Sequence, residues 1–205
     1  LLLLYAHNGG FDLRFIQPYL WNFELIESGR KLICGTGHYV NKNKYIRLQF
    51  RDSYNLIASP LKGFTKMFNI DVEKEYMPYD LYTDTNVYIN NEKFTKQQML
   101  DIIPEHKHED FLRCAEKSEA FITGYFNWNM YSAYYCNLDV RVLKKGILAF
   151  RKQLLDEIDI DVFNFFTIPS IAHEYFMRQG CYDDTYSIGG VVREFISRCL
   201  VGGRT

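Results

Sequence analysis

The sequence lacks several features that would assign it to a specialised class of protein. Its five cysteines are scattered, odd in number and include no CxxC pair, which argues against a disulfide framework or a cysteine zinc site and suits a reducing intracellular compartment. The opening run Leu1–Leu4 is too short for a membrane span and lacks the basic flank of a signal peptide, so we expect no membrane partner. The net charge of −1 gives no overall indication of a nucleic-acid partner.

Aromatic residues, in contrast, are abundant, with 16 tyrosines and 16 phenylalanines. They can form an aromatic core, or some of them can stack on nucleic-acid bases. Positive charge is unevenly placed, because residues 40–74 contain seven lysines and arginines against three acids. Such a run is usually a solvated face, so it permits an anionic partner without requiring one.

Hydrophobic periodicity in the first part of the chain predicts an α/β fold with a mixed sheet. Residues 1–6 are an apolar run that predicts a fully buried strand, and the polar turn 7–10 ends it. Apolar residues at helical spacing predict a helix over 11–20. Residues 31–35 and 39–51 are typical of antiparallel strands.

The rest of the chain is predicted to be mainly helical. We expect a short helix over 60–69, and long helices over 132–153 and 164–179. Residues 71–129 have the least regular pattern and are predicted to be an insertion with short helices at 96–102 and 109–121. From Cys181 the chain is rich in glycine and polar residues, with little regular apolar periodicity, and we expect it to lie loosely packed at the edge of the domain.

The first candidate for chemistry is Asp12, in the sequence Asn8-Gly-Gly-Phe-Asp12 at the expected junction of a strand and a helix. Such junctions are a usual place for active sites in α/β folds. A carboxylate there can cap the helix, or it can bind a divalent metal ion, since Mg²⁺ prefers hard oxygen ligands. The residues alone leave both interpretations open.

The second candidate is the pair Tyr135 and Asp139, which are four residues apart and therefore project from one face of the predicted helix. Phosphodiester hydrolysis by two metals needs several carboxylates around ions roughly 3.5–4 Å apart and a group that orients the attacking water. Asp12 and Asp139 can supply two carboxylates and Tyr135 the orienting hydroxyl, so we expect the three side chains to face one cleft. The alternative is a packed tyrosine and a solvated aspartate.

These motifs resemble those of family B DNA polymerases. The segment Tyr5–Asp12 resembles the second motif of their 3′→5′ exonuclease (proofreading) domain, and Tyr135-x3-Asp139 resembles the third, which marks DEDDy-type exonucleases. Four further segments resemble, in the family's order, elements of the protein-primed subgroup of viruses, linear plasmids and mobile elements. They are Asp52-Ser53 with Pro60–Phe64, Lys74 with Met77-Pro78-Tyr79, Arg193–Ile196, and Leu200–Gly203.

The resemblance implies a fold and a division of the chain. The fold would be ribonuclease-H-like, a mixed sheet flanked by helices, with the N-terminal strands missing because the chain has no Asp-x-Glu first motif and begins within an apolar run. Residues 1–180 would be the N-terminally incomplete exonuclease domain. Residues 181–205 would be the linker and the beginning of the polymerase domain. Without the first acidic pair, we expect the fragment itself to be nearly inactive as a nuclease.

The resemblance also implies roles for individual residues. Asp12 and Asp139 would bind Mg²⁺ or Mn²⁺, two ions in the complete domain, while Tyr135 would position the water and Lys74 would neutralise the scissile phosphate. The residues implied in DNA binding are Asn8, Phe11, Ser53, Tyr54, Tyr79, Gly202 and Gly203. Tyr54 stands where the subgroup usually has leucine, and Leu200 where it has tyrosine.

The implied partners are single-stranded DNA 3′ ends, primer-template DNA and, within the subgroup, a terminal protein primer. The compartment would be the cytoplasm, a virus factory or a mitochondrion. Two alternatives remain open at this stage. One is a free-standing DEDDy exonuclease without a polymerase, and the other is a non-catalytic module that binds single-stranded nucleic acid.

Overall fold

The computed structural model describes residues 1–28, 31–41, 44–72 and 75–199. These residues form a four-stranded sheet with the strand order β1-β4-β3-β2. The strands are β1 (Leu2–Ala6), β2 (Trp21–Ser28), β3 (Lys31–Asn41) and β4 (Lys44–Asp52). β1 pairs with β4 in parallel, whereas β3 is antiparallel to both of its neighbours. The predicted α/β fold with a mixed sheet is therefore confirmed.

The prediction that β1 is fully buried was wrong. Leu2 is 49% exposed, and the other residues of the strand are only partly buried. β1 stands at one end of the strand order, where a strand has a neighbour on one side only. A short apolar run cannot distinguish such a strand from a central one, because both read as uninterrupted hydrophobicity.

Strand β2 was not predicted, and β3 extends six residues beyond its predicted end at Gly35, to Asn41. The pairing of β2 with β3 shifts register twice, between Trp21 and Glu24 and between Ile26 and Glu27. Asn22 also has a left-handed backbone, with φ of 46°. These bulges interrupt the apolar alternation from which a strand is recognised in sequence.

The predicted helix after the first turn is present as α1 (Asp12–Ile16), followed by a 3₁₀ turn over Gln17–Tyr19. Its expected apolar face, however, is not buried. Phe11, Phe15, Ile16 and Tyr19 are all exposed, and the helix instead buries Leu13. Leu13 packs in a small core under the sheet, the sheet core, whose other buried members are Leu32, Leu48 and Phe50.

The remaining helices, except the last, follow the predicted order. They are α2 (Phe64–Phe68), α3 (Lys96–Ile102), α4 (His108–Lys117), α5 (Trp128–Ile158), α6 (Ile168–Arg178) and α7 (Gly190–Cys199). α3 has the predicted bounds because Thr95 and Gln98 form a capping box at its start. α5 begins earlier than predicted, where the Asn127 side chain accepts a hydrogen bond from the backbone N–H of Met130.

The C-terminal part differs from its prediction in one respect. A ten-residue helix, α7, occupies Gly190–Cys199, although the glycine-rich sequence showed little regular periodicity. None of its residues is buried, which agrees with the expected position at the edge of the domain. No helix among the described residues combines the length and apolar character needed to cross a bilayer.

Two larger cores lie outside the sheet, and α5 contributes to both. The aromatic cluster, around Phe111, Phe126, Trp128 and Tyr131, joins α3 and α4 to the first part of α5. The helix-packing cluster joins α2 and the segment after α5 to the middle of α5. Its fully buried members are Phe64, Val142, Ile160 and Val162. The 31-residue α5 therefore packs against both the inserted helices and the loops next to the sheet.

Candidate functional site

The loop that follows β1 is fixed by a buried carboxylate at the end of the neighbouring parallel strand. Asp52 accepts hydrogen bonds from the backbone N–H groups of Asn8, Gly9 and Tyr54 at 2.8, 3.2 and 2.9 Å. Asn8 has a left-handed backbone with φ of 59°. A Cβ at Gly9 would come within 2.3 Å of the Cβ of Ala6, so the tight turn needs glycine there. The two loops are thus held together at the carboxyl ends of β1 and β4.

Ser53 strengthens the same junction from inside. It is fully buried, and its hydroxyl lies 2.7 Å from the Ala6 carbonyl, to which it donates, and 2.9 Å from Nδ1 of His7. The other ring nitrogen of His7 lies 2.8 Å from the Ser59 carbonyl. The His7 ring also packs edge-on against Phe64 and Tyr54, with centroids 5.0 and 5.5 Å away. Ser53 and Tyr54 therefore support the loop that carries Asn8.

Two phenylalanine rings stand exposed just after this loop. Phe11 is 66% exposed and Phe15 is 63% exposed, and their rings meet edge-to-face with centroids 5.0 Å apart. Asn8 is exposed beside them in sequence. Exposed aromatic rings of this kind offer a stacking surface that the fold itself does not use.

Asp12 begins α1 and is exposed at the end of the sheet. It lines a cavity of about 230 Å³ together with Tyr5, Ala6 and Arg51 and several apolar residues. Arg51 is buried and donates hydrogen bonds to the carbonyls of Phe163 and Phe165 at 2.6 and 3.2 Å. The carboxylate of Asp12 therefore borders a cavity, and Arg51 in the lining of that cavity is hydrogen-bonded to the segment after α5.

Tyr135 lies on α5 in contact with Tyr79. Their hydroxyl groups share a hydrogen bond at 3.0 Å, and their rings are perpendicular with centroids 6.1 Å apart. Tyr135 is buried, whereas Tyr79 is 63% exposed. Burial raises the pKa of Tyr135 and the charge of Asp139 acts in the same direction, although the hydrogen bond to Tyr79 opposes both. Tyr135 is therefore a protonated hydroxyl at neutral pH.

A cavity of about 390 Å³ opens beside these two tyrosines. Its charged lining residues are Lys62, Glu75, Lys107, Asp110 and Arg113. Arg113 and Lys107 pair with Glu75 and Asp110, so the lining has one net positive charge, which beside two aromatic rings and their hydroxyl groups suits an anionic and partly aromatic ligand. Asp139 is partly buried one helical turn beyond Tyr135 on the same face of α5.

The structure thus brings together Tyr79 with Tyr135, and Asn8 with Ser53 and Tyr54, whereas Asp12 and Tyr135 line different cavities. Lys74, Gly202 and Gly203 lie outside the described residues. Within residues 1–28, 31–41, 44–72 and 75–199, no three His, Cys, Asp or Glu side chains form a group that could hold a metal ion. The oxygen donors of Asp12 and Asp139 nevertheless match the preference of Mg²⁺ and Mn²⁺ for carboxylates.

Three residues at this site were missed as contributors by sequence reasoning. The first two are Phe15, four positions after Phe11, and His7, within the second motif. The third is Asp52, whose carboxylate fixes the loop. Only Phe15 had a usable signal, because residues at i and i+4 of a helix are neighbours on its surface. The roles of His7 and Asp52 depend on partners 43 to 52 positions away, which no local pattern predicts.

Comparisons with known proteins agree with this architecture. A family model described as "DNA polymerase type B, organellar and viral" matches residues 2–205. A "Probable DNA polymerase" of Neurospora intermedia is 26% identical over 173 residues, which cover 82% of this chain and 17% of that protein. The solved structure of "Phi29 DNA polymerase complexed with single-stranded DNA" is similar with a TM-score of 0.54 and 17% identity.

The match to the solved polymerase covers 96% of this chain and 30% of that one, and at this identity it shows a shared fold. The chain therefore spans less than a third of either relative. The family model, in contrast, covers nearly the whole chain, from the first strand to the last residue. The chain belongs to the type B DNA polymerase family of organelles and viruses.

Proposed function

We propose that this chain is the 3′→5′ exonuclease (proofreading) part of a type B DNA polymerase and that its fold is the ribonuclease-H-like fold of DEDDy exonucleases. Residues 1–180 belong to the exonuclease domain, and residues 181–205 lead into the polymerase domain. The observation that carries the proposal is the hydrogen bond between Tyr79 and Tyr135, at a cationic cavity and one helical turn from Asp139. The reaction is hydrolysis of the terminal phosphodiester of a single-stranded DNA 3′ end.

Tyr135 is proposed to orient the attacking water. Its hydroxyl is protonated at neutral pH because burial raises its pKa, so it serves as a hydrogen-bonding group and not as a general base. Tyr79 fixes the direction of that hydroxyl through the shared hydrogen bond. The exposed ring of Tyr79 then remains available to the terminal nucleotide.

Asp12 and Asp139 are proposed to hold divalent metal ions, Mg²⁺ or Mn²⁺. Two such ions supply an activated water and stabilise the charge of the scissile phosphate. The side chains themselves contribute hard oxygen ligands, and Lys74 is proposed to neutralise negative charge on the phosphate. Because strand β1 carries no acidic residue, we propose that the complete site needs further carboxylates and that the chain alone is a poor nuclease.

The single strand is proposed to cross the end of the sheet. Phe11, with Phe15 beside it, offers an exposed surface on which a base can stack, and Asn8 offers an amide next to it. Ser53 and Tyr54 hold this loop in place from within. The structurally similar polymerase was solved with single-stranded DNA, which supports this ligand. Gly202 and Gly203 are proposed to contact primer-template DNA, and a terminal protein is proposed as the primer.

The proposal is tested in the complete parent polymerase with a 5′-labelled single-stranded oligonucleotide and Mg²⁺. We expect Asp12→Asn and Asp139→Asn each to lower the rate of 3′-end hydrolysis by about 100-fold or more, because each removes a metal ligand. Primer extension should remain close to that of the parent. Tyr135→Phe should also slow hydrolysis, by about 100-fold, because it removes only the orienting hydroxyl.

Asp156→Asn is the matched control, since Asp156 is exposed on the same helix and pairs only with the surface residue Lys152. It should leave both activities unchanged. Parent-like hydrolysis by Asp12→Asn and Asp139→Asn would exclude the proposed site. Equal loss of extension and hydrolysis would indicate a general folding defect.

A further inference from the structure

A buried glutamate anchors the segment that leads to Tyr79. Glu75 is buried, with a side chain only 5% exposed. One of its carboxylate oxygens accepts a hydrogen bond from Nζ of Lys117 at 2.7 Å, and the other from Nε of Arg113 at 3.2 Å. Both cations lie one turn apart on α4. Their own side chains are about half exposed, at 44% for Arg113 and 50% for Lys117.

The residues between Glu75 and Tyr79 are attached to the helices at nearly every position. The Tyr76 carbonyl accepts a hydrogen bond from the Tyr131 hydroxyl at 2.5 Å. Met77 is buried in the aromatic cluster. Tyr79 then reaches the Tyr135 hydroxyl at 3.0 Å. Segment 75–79 is therefore a strap held at one end by α4 and along its length by α5.

The ion-pair end of this strap also forms part of the candidate site. Glu75 and Arg113 line both the cavity next to Tyr135 and a second cavity, of about 540 Å³, on the side of Leu138 and Arg141. The ion pair of Glu75 and Arg113 therefore separates the two cavities. A displacement of this ion pair would also displace segment 75–79 and the exposed ring of Tyr79.

We propose that Glu75, Arg113 and Lys117 are positioning residues for the exonuclease reaction, through which the inserted helix α4 sets the position of Tyr79 against Tyr135. The inference rests on the proposed function and adds a structural role for the insertion. The two cations neutralise a carboxylate that burial would otherwise make costly, so the strap has a stable place only when α4 is docked. None of the three residues needs to touch DNA for this role.

The test uses Glu75→Gln in the complete parent polymerase. A glutamine can accept a hydrogen bond from one cation, but its NH₂ group then faces the other, so the strap loses half of its anchor. Because misplacement by about 1 Å can cost about 100-fold in rate, we expect kcat for single-strand hydrolysis to fall about 10- to 100-fold. KM for the strand should change less than kcat, because the strand contacts proposed at Asn8 and Phe11 are untouched and only the contact with the Tyr79 ring is displaced.

Three further variants make the test specific. Lys117→Met should reproduce the fall in kcat, and Lys117→Arg should restore most of the activity because it keeps a cationic donor. Glu116→Gln, an isosteric change at an exposed position of the same helix, should have no effect. Primer extension and the midpoint of urea unfolding are measured for every variant. Extension should stay close to that of the parent, whereas Glu75→Gln and Lys117→Met should lower the midpoint because each weakens the buried ion-pair network.

Any of the following outcomes would reject the inference. Unchanged kcat in Glu75→Gln, a higher KM with unchanged kcat, or no rescue by Lys117→Arg would show that these residues do not position Tyr79. A parallel loss of extension would show a general structural role. Asp139→Asn is run alongside: if it leaves hydrolysis intact, the proposed function itself fails, whereas loss in Asp139→Asn with none in Glu75→Gln rejects the positioning role alone.

Discussion

The sheet and the inserted helices are stabilised in different ways. Among the residues that the structure describes, four are buried in the sheet core and twelve in the aromatic cluster of the inserted helices, so apolar burial favours the helical region. Trp21, Ile26 and Tyr45 are exposed on the strands, as are Phe11 and Phe15 on α1. The sheet end of the chain therefore has exposed apolar side chains beside a small core, whereas the helical region has a large core although it also exposes Tyr88, Ile89 and Ile122.

The sheet has a small apolar core and is stabilised in part by specific polar contacts, which we call tethers. Buried Arg51 on β4 connects the sheet to the carbonyls of Phe163 and Phe165, and its guanidinium lies 4.4 Å from the centre of the Phe166 ring. Asp52 ties the loop after β1 to the end of β4. A few polar contacts thus stabilise the sheet, whereas close packing stabilises the helices. Four predictions test this contrast, from the largest expected effect to the smallest.

The largest effect is expected in the aromatic cluster. Phe126 is fully buried, with the rings of Trp128 and Tyr131 centred 4.8 and 5.3 Å from its own. Phe126→Ala should lower the free energy of unfolding by about 3–5 kcal/mol, whereas Leu48→Ala in the sheet core should cost about 2–3 kcal/mol. Urea unfolding of the 205-residue chain measures both. An equal or larger loss for Leu48→Ala would contradict the contrast between the two regions.

The second prediction concerns the tether. Arg51→Met keeps much of the side-chain volume but leaves two partly buried carbonyls without their donor, so we expect a loss of about 2–3 kcal/mol. Arg47→Met is the matched control, because Arg47 is exposed on the same strand four residues earlier, and it should change stability by less than about 0.5 kcal/mol. Similar stabilities of the two variants by urea unfolding would mean that the tether is not significant.

The same contrast explains which parts of the fold could be predicted from the sequence. Helices α3 to α6 were predicted, α3 with its bounds, whereas at least one end of α4, α5 and α6 differs from its prediction by four or five residues. β2 was missed because its bulges break the alternation, and β1 was given the wrong environment because its apolar residues do not reveal a sheet edge. Local pattern is thus informative where packing is regular.

The candidate site follows the same rule. Tyr135 and Asp139 could be selected as a pair because a helix places residues four apart on one face. Tyr79 was identified through the family resemblance, but its hydrogen bond to Tyr135 spans 56 positions and has no local signature. Glu75, Arg113 and Lys117 were not singled out at all, because a buried carboxylate with cations 38 and 42 positions away reads in sequence as ordinary surface charge.

The third prediction tests how closely the helical region is packed. Gly146 lies in the middle of α5, where an added Cβ would come within 2.3 Å of the Phe64 ring. Helix propensity alone would make Gly146→Ala stabilising by about 1 kcal/mol. We expect instead a net loss of about 1–2 kcal/mol, because the fully buried ring has no room to move. Ala133→Gly, at an exposed position of the same helix, should cost about 1 kcal/mol, and a gain in Gly146→Ala would contradict close packing.

The smallest effect is expected for the ion pair beside the tether. Asp161 accepts hydrogen bonds from Arg151 at 2.8 and 2.5 Å and from the backbone N–H of Phe163 at 3.0 Å, and the Phe163 carbonyl in turn accepts from Arg51. The Arg151 hydrogen bonds lower the pKa of Asp161 from its usual 3.8. A lowered folded-state pKa means that the stabilisation is present above the unfolded-state value and is lost as pH falls through the folded-state value.

Asp161→Asn should therefore cost less than about 1 kcal/mol at neutral pH, since the pair is partly exposed and water screens it. The difference from the parent should shrink as the pH falls below 3.8, where Asp161 protonates in the unfolded state, and it is lost once the pH passes the lower folded-state pKa. Urea unfolding at about pH 7 and about pH 3 measures this difference, with Asp156→Asn as a control at an exposed ion pair on α5, the helix that also carries Arg151. A difference that stays constant on acidification would show that Asp161 stabilises the segment by hydrogen bonding alone. In that case the charge of Asp161 would add nothing to the tether between the sheet and the helices.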